Sequence, residues 1–88
     1  MATSLPPVKL EPNTWTDLYA STGILLGTQL IFQNIGQDEA RVTESATEPV
    51  SLVGSNNLVV NAFLQSAVTP VGVWTLSRLG TTLQVEAL

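Results

Sequence analysis

Apolar and polar residues alternate with a period of two along much of this chain, and turn-forming residues interrupt the alternation roughly every 8 to 12 positions. That rhythm predicts short β-strands. Val8-Lys9-Leu10 opens the first, and Pro12-Asn13 breaks it. Trp15 to Tyr19 reads as a second strand, with Trp15 and Tyr19 on one parity and Thr16 and Leu18 on the other. Thr28 to Gln33 places Leu30 and Phe32 on one face. The following Asn34-Ile35-Gly36-Gln37-Asp38 has turn chemistry, and the chain returns as Ala40 to Glu44 with Ala40 and Val42 inward and Arg41 and Thr43 outward. This is the clearest predicted hairpin.

Leu58 to Leu64 is apolar on both parities apart from Asn61, so a strand there needs cover on both sides. One cover is the core; the other is a neighbouring subunit or a loop. A second hairpin is predicted from Gly72-Val73-Trp74-Thr75-Leu76-Ser77-Arg78, a turn at Leu79-Gly80, and Thr81 to Leu88. In it Trp74 and Leu76 face Leu83 and Val85, while Gln84 and Glu86 face solvent. Ser45 to Val53 holds Ala46 and Glu48, but Pro49, Val50 and Val53 favour a loop and a short strand, and no helix is predicted. Residues 1–7 end in Pro6-Pro7 and read as an extended N-terminal arm, because proline fixes φ and lacks a donor; docking on a neighbour and a frayed terminus fit that arm equally. The expected architecture is all-β: a small antiparallel sandwich or barrel of about 6–8 short strands over residues 8–88.

With 88 residues the chain has room for one modest core. Only ten residues are charged: Lys9, Arg41 and Arg78 against seven acidic side chains, for a net charge of −4. Ser, Thr, Asn and Gln number 28, a neutral polar surface that costs less to bury against neighbours than ions do. Three scattered cations give no footprint for a phosphate backbone, so no nucleic acid is expected. The longest apolar runs, such as Gly23-Ile24-Leu25-Leu26-Gly27, are too short to span a bilayer, and Met1 to Leu5 lacks the pattern of an export signal. A soluble protein without a membrane partner is expected.

The chain has no cysteine and no histidine, which excludes hydrolytic triads, Cys-His dyads, thiolate metal sites and the usual general base. Asp38, Glu39 and Glu44 do not match a calcium loop, and no phosphate-cradling glycine motif occurs. Asp17, Glu44 and Glu48 are the only carboxylates that suggest a glycosidase pair, and they read more simply as solvated side chains. No catalytic, cofactor or metal residues are assigned. Trp15, Tyr19 and Trp74 have the parity of core or interface rings, with a sugar-stacking platform as the alternative.

Four segments carry a resemblance: Trp15-Thr-Asp-Leu-Tyr-Ala-Ser-Thr-Gly-Ile24, Gly27-Thr-Gln-Leu-Ile-Phe-Gln-Asn-Ile-Gly36, Gly72-Val-Trp-Thr-Leu-Ser77 and Leu83-Gln-Val-Glu86. Together they resemble small virion structural proteins of tailed bacteriophages, over roughly residues 13–87. The pattern concerns fold-building residues and not a site. The resemblance implies a non-enzymatic protein, assembled into the virion in the host bacterial cytoplasm. It implies a capsid decoration (cement) or head-fibre protein that binds the major capsid protein and self-associates, with a homotrimer favoured. A tail, neck or fibre-attachment subunit is the alternative, and a free carbohydrate-binding module is a third reading from another class. The residues expected at interfaces are Leu5, Pro6 and Pro7 of the arm and the outward positions Val59, Asn61 and Phe63, with Arg41 as an interface ion-pair donor whose simpler reading is a solvated strand charge.

Overall fold

A computed structural model describes residues 7–51 and 55–87. Among these residues the predicted alternation appears as eight strands in two four-stranded antiparallel sheets that face each other across one core. In chain order the elements are β1 (Val8–Leu10), β2 (Thr16–Asp17), α1 (Leu18–Thr22), β3 (Leu30–Asn34), β4 (Ala40–Glu44), β5 (Asn56–Leu58), β6 (Phe63–Gln65), β7 (Val73–Leu76) and β8 (Thr81–Ala87). The first sheet runs β1-β8-β3-β6 and the second β2-β7-β4-β5. The all-β sandwich is therefore the fold, with one five-residue helix added.

The inward faces follow the period of two. Leu10, Leu30, Phe32, Leu83 and Val85 from the first sheet meet Ala40, Val42, Leu58 and Val73 from the second, with Leu18 and Tyr19 of α1 closing one side. The helix, absent from the sequence expectation, replaces the upper half of the predicted Trp15–Tyr19 strand. Its ends explain it. The Asp17 carboxylate accepts from the Tyr19 amide at 3.0 Å, capping the N-terminus, and Gly23 at φ 77° supplies the left-handed residue that ends it.

Both predicted hairpins are crossovers between the sheets instead. β3 pairs with β8 and β6, and β4 pairs with β7 and β5, so the chain from Asn34 to Ala40 passes from one sheet to the other. β7 and β8 are parted in the same way by residues 77–80. Alternation with one buried face describes a strand in either arrangement, and only the turn decides which. Asn34 decides the first. Fully buried at the end of β3, its amide nitrogen donates to the carbonyls of Asp38 (2.7 Å) and of Leu58 in the opposite sheet (3.0 Å). Its side-chain oxygen accepts from the Gly36 amide (3.1 Å) and the Thr81 hydroxyl (2.8 Å). Gly36 lies against Thr81 and Thr82 where a Cβ would have no room.

The parity of β7 is also reversed. Val73 and Thr75 point inward, while Trp74 and Leu76 take the outer face. The predicted Leu58–Leu64 strand is broken: β5 ends at Leu58 in the second sheet, residues 59–62 turn, and β6 joins the first. Asn61 makes that turn at φ 70°, a conformation asparagine tolerates better than a β-branched residue. Its amide donates to the Asn34 carbonyl at 2.7 Å. The change of sheet answers the double-faced pattern, because no single strand has to be covered twice. Of the Ser45–Val53 segment, the described residues 45–51 form a loop with no strand.

Candidate functional site

The two sheets leave two ends, and the registers say which loops share each. β4 ends at Glu44 opposite Val73, and β3 begins at Leu30 opposite Ala87. Loops 23–29, 45–51 and 66–72 therefore meet at this upper end. Hydrogen bonds tie them together. Gln29 Nε2 donates to the Ser66 carbonyl, the Leu30 amide to Ser66 Oγ, the Ser45 amide to the Gly72 carbonyl, and the Ala67 amide to Glu44 Oε2, all at 2.8–3.1 Å. Trp74 is half-buried with its indole N–H on the Ser45 carbonyl (3.1 Å), and Trp15 is half-buried too, so neither ring stands free of the sandwich. From these anchored loops Leu25, Leu26, Val50, Val68 and Val71 project into solvent, Leu25 at 81% exposure and Val50 fully. Five large aliphatic side chains exposed on the loops of one end make that end a candidate contact surface.

The Tyr19 hydroxyl donates to the Thr28 carbonyl at 2.6 Å and holds loop 23–29 against the helix. Burial pushes the Tyr19 phenol above its ordinary value of 10.0. The Glu44 carboxylate adds to that and Asp17 adds less, while the Ser66 hydroxyl draws it part of the way back.

At the lower end Asp38, Glu39, Arg41, Leu76, Arg78 and Leu79 line an open cavity of about 500 Å³ on the outer face of the second sheet. Leu76 is its floor: although outward-facing, it is only 5% exposed. A shallower groove continues past the shared residues Asp38 and Leu79 to Ile35, Lys9 and Glu11.

The residues expected at interfaces are not brought together. Leu5 and Pro6 lie outside the described residues, and Pro7 is exposed beside β1 at one edge of the first sheet. Phe63, 65% exposed, sits on β6 at the opposite edge, beside a depression floored by Ile31 and Gln33. Val59 and Asn61 belong to the lower turn and do not share a strand face with Phe63. Arg41 lines the lower cavity. Sequence reasoning missed the upper loops. Leu25-Leu26 and Val68-Thr69-Pro70-Val71 lie between turn signals, apolar where a connection should be polar, and that mismatch was the available signal.

Asp17 caps α1 and Glu44 anchors residue 67, so two of the three carboxylates weighed for acid-base chemistry serve the fold. Among the described residues no group of three or more carboxylates converges to hold a cation, and no helix is long and apolar enough to cross a membrane. Comparison with protein-family models, curated proteins and solved structures gives no match.

Proposed function

We propose that this chain is a non-enzymatic structural subunit of a tailed-bacteriophage virion, a capsid decoration or head-fibre protein that grips the shell and self-associates. One observation carries the reading: the upper end presents Leu25, Leu26, Val68 and Val71 on loops fixed by hydrogen bonds to the sandwich, with Val50 exposed on the adjoining loop 45–51. Preordered loops lose little entropy on docking, and their aliphatic tips gain by leaving water. The resemblance of residues 13–87 to small virion proteins supports the same job.

The upper half also carries the acidic Asp17, Glu44, Glu48 and Glu86 and none of the three cations. A partner site that is apolar with a basic rim complements it. The test is co-sedimentation of the purified protein with expanded, undecorated heads of the phage that encodes it. Saturable binding at a fixed ratio per capsid subunit is the expected result. Failure to bind heads, together with a closed ring in solution, assigns the protein to the tail or neck instead.

A further inference from the structure

Charge is divided unevenly between the two ends. All three cations of the chain, Lys9, Arg41 and Arg78, line the joined cavity and groove of the lower end, and Glu11, Asp38 and Glu39 line them too. The lower end is thus electrically balanced in a chain of net charge −4. Yet none of these six side chains is engaged in an ion pair within the described residues. Beside them Leu79 stands 73% exposed on the rim of a cavity whose floor is the buried Leu76.

A patch that holds equal numbers of both signs, an apolar knob and an apolar-floored cavity is complementary to itself. A ligand of one sign would gain from three of the charges and be repelled by the other three. A second copy related by a two-fold axis that passes between the basic and the acidic members of the patch brings opposite signs together twice over, because in an isologous contact residue i faces j and j faces i.

We infer that the lower end is a two-fold self-association surface. Arg41 and Arg78 of one copy face Asp38 and Glu39 of the other across the axis, and Leu79 of each enters the cavity of its partner. The inference deepens the self-association in the proposed function and rests on that part alone. It replaces the favoured trimer by an assembly with an even number of copies, and it leaves the upper loops free for the shell.

The experiment is light scattering on the full chain across concentration and salt, together with a charge exchange. The double variant R41E/R78E makes the patch wholly acidic around the cavity, and D38K/E39K makes it wholly basic. The wild type should assemble in even numbers and dissociate about tenfold more readily between about 50 mM and about 1 M salt. Each variant alone should be monomeric, and their equimolar mixture should recover the wild-type mass. A wild type that stays monomeric, or assembles in threes, overturns the inference, as does a mass indifferent to salt and to both variants. The salt series needs no variant, so a misfolded variant does not blunt the test. Head co-sedimentation separates the claims: a monomer that binds heads sinks this inference alone, and an even assembly that ignores them sinks only the shell reading.

Discussion

Thr75 is fully buried between Val42 and Thr16, and its hydroxyl has no hydrogen-bond partner among the described residues. A buried hydroxyl without a partner forfeits its hydration for no return. Thr75→Val keeps the shape, so urea denaturation should show a gain of about 1 kcal/mol. Asn34 is the opposite case, with both amide protons and both acceptor positions used. Asn34→Ala leaves those partners buried and unsatisfied and should cost about 3–5 kcal/mol in the same assay. Tyr19, the one tyrosine in the chain, gives a pH signature. Its raised pKa means that the folded state keeps the proton when the unfolded chain has released it. Its stabilising contribution is whole below about pH 10 and is lost as pH rises through the folded value. Tyr19→Phe should cost about 1 kcal/mol at neutral pH through the lost bond to Thr28, and should flatten the fall in stability above about pH 10.

At the scale of elements, the period of two located β1, β3, β4 and β8 and their buried faces, because alternation reports burial directly. It left the pairings unresolved. A hairpin and a crossover carry the same alternation, and the difference lies in one buried amide, Asn34, whose partners Leu58 and Thr81 are remote in sequence. β7 was misread because its apolar members Trp74 and Leu76 take the outer face, Leu76 as the buried floor of the lower cavity, while the polar Thr75 points inward. Helix α1 was legible in part: Asp17 and Gly23 are good end signals, but five residues are too few to set up a helical period. The run from Leu58 to Leu64 was misread as one strand covered on both faces: β5 ends at Leu58, and the chain changes sheets through Asn61 before β6.

The whole molecule has two unlike ends separated by a sandwich. The lower one is charge-balanced and cavity-bearing, and the upper one is acidic and tipped with aliphatic side chains. Composition gave the scarcity of charge, but the segregation exists only after folding, because Lys9, Arg41 and Arg78 come from three distant parts of the sequence. The interface residues expected from sequence likewise fall in different places: Phe63 on one sheet edge, Pro7 on the other, and Arg41 in the lower cavity. The upper loops, which sequence reasoning passed over, give the account its central claim. The most direct test compares head binding by the wild type with that of a variant carrying L25S, L26S, V68S and V71S. All four side chains are exposed, so the fold should lose little. The account predicts that the variant keeps its thermal unfolding and its self-association, while its affinity for heads falls by at least about a hundredfold. Equal binding by the two proteins would contradict it.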